Sequence, residues 1–151
     1  MTSPRSSRFA LSSFDLAITG RCYCGRTRLQ AAAPPQTLSY CHCADCRRIT
    51  GAPVAAFAAF APDGVDFIPG KGPRKSFTKG VDRWFCQDCG TQLCAAYDYL
   101  PGQVYVPLGL LDQAADLPPQ SHSHISSRLP WLHIDDDLPR DSASGRDRLK
   151  E

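Results

Sequence analysis

Arg83-Trp84-Phe85-Cys86-Gln87-Asp88-Cys89-Gly90-Thr91-Gln92-Leu93 is the stretch from which the fold of this chain is best read. Two residues separate the cysteines, so a tight turn brings both sulfurs toward one ion. The trailing glycine can take a left-handed backbone that lets N–H groups approach the sulfurs. Half of a tetrahedral metal site is supplied in this way. The other half is Gly20-Arg21-Cys22-Tyr23-Cys24-Gly25, a tighter turn with the same trailing glycine. Cys22, Cys24, Cys86 and Cys89 together offer four thiolates, the set a closed structural zinc takes. Such a site cross-links an early strand to a late one.

Outward from the knuckle the chain reads as short apolar runs broken by Gly, Pro and Asp. The segments 14–19, 27–33, 54–60, 65–68, 83–85, 92–97 and 104–110 are expected to be strands. Their spacing of about 8–12 residues suggests an all-β sandwich or barrel-like domain. Thirteen prolines and eleven glycines fit many turns. One short helical turn each is expected at 44–49 and 111–115, and 129–134 is expected to add a last strand or a lid carrying Trp131. The chain divides into an arm at 1–12, one domain at 13–139 and a polar tail at 140–151 that is expected to fray from Leu138 onward.

Seventeen basic and fifteen acidic residues leave a formal net charge of +2, which argues against a basic nucleic-acid-binding surface. No apolar run is long enough for a membrane span, and the first ten residues lack the apolar core of a secretory signal. A cytoplasmic location is expected. Thiols stay reduced there, so metal binding is favoured over disulfides among the eight cysteines.

A second constellation, Cys41-His42-Cys43-Ala44-Asp45-Cys46, offers three thiolates and no evident fourth ligand. Catalytic zinc sites commonly keep three protein ligands and an open position. His42 is the nearest candidate for the fourth. On an extended segment it faces away from Cys41 and Cys43, and the reading favoured for it is a histidine satisfied by a backbone carbonyl. Cys94 lies in an apolar run and is expected to pack as a small hydrophobe. Asp45 is expected to be a turn residue.

The three motifs together resemble the glutathione-dependent formaldehyde-activating enzyme family, whose domain also occurs in centromere protein V. The residues that carry the resemblance are Gly20-x-Cys22-x-Cys24-Gly25, then Cys41-His42-Cys43-x-x-Cys46-Arg47-Arg48-x-x-Gly51, then Arg83-x-Phe85-Cys86-x-x-Cys89-Gly90-Thr91-Gln92-Leu93. Gly109-Leu110-Leu111-Asp112 and Pro130-Trp131-Leu132 before Asp135-Asp136 add to it. The resemblance implies a mainly β fold, a tent-like arrangement of short antiparallel sheets with zinc knuckles and few helical turns. It implies two zinc ions per chain: a structural one on Cys22, Cys24, Cys86 and Cys89, and a catalytic one on Cys41, Cys43 and Cys46.

The implied reaction is that of a carbon–sulfur lyase, joining formaldehyde to glutathione. Three thiolates leave the zinc complex with a net charge of about −1, so capture of a substrate thiol is favoured over polarisation of the aldehyde. Arg47 and Arg48 are the expected substrate-binding residues. They can hold a glutathione carboxylate or offset the negative cluster, the competing readings being donation to the cysteine sulfurs or plain solvation. His122, His124 and His133 are expected in a surface loop, with a lid over the open site as the competing reading and His124 as its proton carrier. The competing function is a zinc-stabilised protein-interaction module without catalysis. Zinc buffering or redox sensing is a third.

Overall fold

A computed structural model describes residues 17–146. The expected arm at 1–12 and the first residues of the segment 14–19 lie outside the described residues. Among the described residues ten strands form two sheets. The smaller sheet has the order β1 (Ile18–Arg21), β2 (Arg28–Ala31), β5 (Val65–Ile68). The larger runs β10 (Ser121–Ser123), β3 (Thr37–Cys41), β4 (Ala55–Phe60), β9 (Val104–Pro107), β8 (Gln92–Tyr97), β7 (Val81–Phe85), β6 (Arg74–Thr78). The fold is mainly β. All pairings are antiparallel except β10 on β3, which is parallel.

The period-2 alternation of strands decides what each face of the larger sheet does. Leu38, Ala58, Phe60, Cys94, Val104 and Val106 point to one side and meet Ile18, Leu29, Ala31 and Val65 of the smaller sheet in the main core. Phe57, Ala59 and Tyr105 point to the other side and form a second cluster with Cys46 and Leu100. Cys94 therefore packs as a small hydrophobe, and burial pushes its thiol up to about 12. Where β1 crosses the end of β9, Gly20 bridges to Leu111. A Cβ at Gly20 would stand 2.4 Å from the Leu110 carbonyl oxygen, so only glycine fits.

Among the described residues the one α-helix, α1 (Ala44–Thr50), starts just after β3 ends. The Cys43 sulfur caps it by accepting from the Cys46 N–H at 3.2 Å, and Gly51 closes it in the left-handed conformation at φ 73°. The second expected helical turn is a 3-10 turn at Ala114–Asp116. The late segment departs from expectation. Residues 129–134 form neither strand nor lid: a turn places Trp131 63% exposed. The chain beyond Leu138 does not fray immediately. His122 N–H donates to Pro139 O, Ile125 N–H to Asp141 O and His124 N–H to Ala143 O, which lays residues 139–143 along β10.

Candidate metal centres

The four sulfurs of Cys22, Cys24, Cys86 and Cys89 lie within 4.8 Å of one another. Cys22 Sγ is 3.6 Å from Cys24 Sγ, which is 3.9 Å from Cys86 Sγ. Zinc bound to four sulfurs at about 2.3 Å needs sulfur–sulfur edges of about 3.8 Å, so the donor set fits the ion. Both turns are built alike. Gly25 and Gly90 adopt φ 81° and 80°, and their N–H groups donate to the Cys22 and Cys86 carbonyls. Backbone N–H groups of Thr27 and Arg26 donate to the Cys22 and Cys24 sulfurs at 3.3 and 3.4 Å. The Thr91 hydroxyl lies 3.1 Å from Cys89 Sγ and holds that thiol down to about 5.

The sulfurs of Cys41, Cys43 and Cys46 also lie within 4.8 Å of one another. Cys41 ends β3, Cys43 is the N-cap of α1, and Cys46 lies in the first turn of α1. Hydrogen bonds from the Cys41 and Cys46 thiols hold the Cys43 sulfur down to about 2, while the same bonds push Cys41 up to about 12 and Cys46 higher still. Three thiolates suit the same metal as the first cluster. All three residues of this second cluster stand on the wall of a cavity of about 490 Å³, whereas of the first cluster Cys86 alone lines a smaller one of about 200 Å³. The larger cavity covers the outer face of the larger sheet, and its floor includes Phe57, Leu100, Tyr97 and Tyr105.

The model of the family described as "Glutathione-dependent formaldehyde-activating enzyme" matches residues 17–127. The chain belongs to this family. An uncharacterized lyase of Schizosaccharomyces pombe is 35% identical over 78 residues, 52% of this chain and 56% of that protein. The chain thus spans little more than half the length of that curated relative. A crystal structure of a Rhodobacter sphaeroides protein aligns with a TM-score of 0.49 at 17% identity, over 81% of this chain and 98% of that one. No helix among the described residues is long and apolar enough to cross a membrane.

Against this family background the expected site residues separate. Asp45 lines the cavity from the first turn of α1. Arg47 and Arg48 do not line it. The Arg47 guanidinium donates to the His42 and Ser127 carbonyls, each at 2.7 Å, tying α1 to the turn after β10. Arg48 is exposed on the helix. His124 reaches the cavity rim and His133 is exposed. His122, expected at the surface, is 1% exposed.

His42 faces away from the cysteines as alternation required, but its partner is not a backbone carbonyl. Its Nε2 lies 2.9 Å from His122 Nδ1, the two rings stack on each other, and His122 stacks in turn on Tyr40. His122 Nε2 in turn donates to Asp136 at 3.0 Å, and Asp136 accepts from Arg140 at 2.9 Å. Burial, reinforced by His122 and the cations of Arg128, Arg140 and Arg47, pushes His42 down to about 4, so its ring is neutral. Its Nδ1 is buried and makes no hydrogen bond among the described residues.

The sequence reading missed this buried relay, and also Arg83 and the tyrosines Tyr97, Tyr99 and Tyr105 around the cavity. For Arg83 and Tyr97 a signal existed. Alternation along β7 and β8 puts Trp84 and Cys94 on the core side, which turns Arg83 and Tyr97 toward the cavity.

Proposed function

We propose that the protein is a zinc-dependent carbon–sulfur lyase-type enzyme. In this reading it joins a small aldehyde such as formaldehyde to the sulfur of glutathione or a related thiol, and runs the same step in reverse. The observation that carries the proposal is that three converging cysteine sulfurs stand on the wall of the larger cavity, while Cys22 and Cys24 do not line it. Its volume of about 490 Å³ falls within the roughly 300–1,000 Å³ common for small-molecule sites. Cys41, Cys43 and Cys46 would hold the catalytic ion, and Cys22, Cys24, Cys86 and Cys89 the structural one. When bound at the first of these, zinc supplies a positive centre beside which a substrate thiol exists as its thiolate.

The chain's own residues shape the rest of the step. Phe57 and Leu100 line the cavity and pack in one apolar cluster with Cys46. As the carbon–sulfur bond forms, the aldehyde carbon–oxygen double bond opens and its oxygen gains negative charge, and the thiol proton finally resides on that oxygen. A donor facing the developing charge lowers the barrier. Tyr97 and Tyr99 have this character. Burial pushes the Tyr97 phenol well above its ordinary value, and burial together with the three cysteine sulfurs pushes Tyr99 up to about 12. Both hold their protons at neutral pH. The Tyr97 oxygen accepts from Arg83 Nη1 at 3.5 Å, which leaves its own O–H for a ligand. A reducing compartment such as the cytoplasm keeps seven ligand thiols competent for this role.

Calorimetric titration of glutathione into protein carrying two zinc ions per chain tests the reading. Saturable binding that disappears in Cys43→Ser is expected. An absence of binding at millimolar glutathione, with both ions verified, would remove glutathione as the thiol.

A further inference from the structure

The cavity contains one charge whose surroundings leave it unmatched. Arg83 is 8% exposed, on β7 between two cavity-facing neighbours, Val81 and Tyr97. A guanidinium is always charged and carries five N–H donors in a planar fork. Arg83 uses few of them. Both of its hydrogen bonds come from Nη1, to Gln92 Oε1 and Tyr97 Oη, each at 3.5 Å. Nε and Nη2 donate to no protein group among the described residues, and no described carboxylate lies within ion-pairing distance. Buried cations elsewhere in proteins are paired, because an uncompensated one is costly.

The position of that fork relative to the sulfurs narrows what would match it. The Arg83 guanidinium carbon sits 5.6 Å from the centre of the Tyr97 ring. Tyr97 itself packs against the cluster formed by Cys46, Phe57 and Tyr105. One tyrosine ring therefore spans from the cysteine cluster to the guanidinium. The cavity's other charges are Lys79, in the turn between β6 and β7, and the acids Asp45 and Asp98. Of the cations on this wall, Arg83 is the buried one.

We propose that Arg83 is a specificity-determining residue that receives a carboxylate of the substrate, so that the preferred substrates are thiols bearing an acid group. The proposal rests on the thiol reading of the three-cysteine site. A carboxylate meets the planar fork with two parallel hydrogen bonds, which an ammonium could not reproduce. The role expected from sequence for Arg47 or Arg48 thereby moves to Arg83 on β7.

The test compares two thiols of one length, 3-mercaptopropionate and 3-mercapto-1-propanol, titrated calorimetrically into full-length protein with two zinc ions per chain. The acid is expected to bind about 10- to 100-fold more tightly, the range of one charge-assisted pair. Arg83→Gln is expected to bring the ratio near one, and Arg83→Lys to give an intermediate value. Arg48→Gln is expected to leave the ratio as it is. Should Arg83→Gln not fold, the wild-type ratio and Arg83→Lys carry the test. Equal binding of both thiols to the wild type would overturn the carboxylate subsite while leaving thiol capture standing. Binding of neither would overturn thiol capture and the subsite with it. Loss of the preference in Arg48→Gln alone would place the subsite on α1 and overturn the assignment to Arg83.

Discussion

The cluster of Cys22, Cys24, Cys86 and Cys89 is assembled from two turns, with Cys24 and Cys86 62 residues apart. Cys41, Cys43 and Cys46 come from a single uninterrupted run across the end of β3 and the start of α1. Both sets place thiols on one point, but they do different mechanical work. The first joins the β1–β2 hairpin to the β7–β8 hairpin, so its metal would be a tie between two sheets. The second closes a loop that α1 and the Cys43 cap already hold. It has no long-range tie to maintain, and it faces a cavity instead of a neighbouring strand. In the proposed reading the closed cluster would carry stability and the open one chemistry.

The largest effect separating them is expected on breaking the tie. A structural zinc contributes about 10–16 kcal/mol to folding, comparable to the whole stability of a domain. Cys86→Ser should give protein without a cooperative thermal transition by circular dichroism. A soluble variant melting like the wild type would break the comparison at its root. Next comes His122→Phe, which keeps a ring in the stack with Tyr40 but orphans the buried His42 Nε2 and removes one of the hydrogen bonds that Asp136 accepts. It should cost about 1–3 kcal/mol in urea denaturation, the cost of deserting one buried polar group. A loss too small to measure would mean that the relay does not brace the Cys41–Cys46 loop.

Acid sharpens the same point. Asp136 is held below its ordinary value of 3.8 by its hydrogen bonds from His122, the Leu138 N–H and Arg140, against the opposing effect of burial. A carboxyl depressed by folding adds stability above its unfolded value, and that stability is lost as pH falls through the folded one. Urea midpoints measured between pH 6 and pH 2 should therefore fall below about pH 4, and fall less steeply in Asp136→Asn. Parallel profiles would detach Asp136 from the acid response. The smallest change in stability is expected for Cys43→Ser. Serine is itself a good N-cap, so folding should change by less than about 1 kcal/mol. Metal analysis should nevertheless show one ion per chain in place of two. Retention of two ions would mean that Cys43 is not needed at the open cluster.

The same contrast explains what could be read from the sequence. Cysteine spacing and trailing glycines are local signals, and the structure brings together the seven sulfurs they single out. Strands with an apolar alternation were legible for the same reason: β5 and β8 have the bounds expected of them. Three strands gave no such signal. β6, Arg74–Thr78, is an exposed edge with no buried face to betray it. β3, Thr37–Cys41, merges into the second cysteine motif, and β10 is the three residues Ser121–Ser123. The relay followed β10 out of sight. His42 and His122 stand 80 residues apart and meet through a parallel pairing that no local pattern announces. Arg47 and Arg48 show the opposite error, in which adjacency to a ligand along the chain suggested adjacency in the site. Helical geometry instead turned Arg47 onto two carbonyls.

The span between the two halves of the closed cluster also has a meaning in time. A ribosome adding about 5–20 residues per second needs roughly 3–12 seconds to go from Cys24 to Cys86, which are 62 residues apart. Throughout that interval the nascent chain carries two closely spaced thiols with half a coordination shell, open to oxidants or to any thiophilic metal. The hairpin that holds Cys86 and Cys89 is what ends this exposure, so the order of synthesis makes the late knuckle the guardian of the early one.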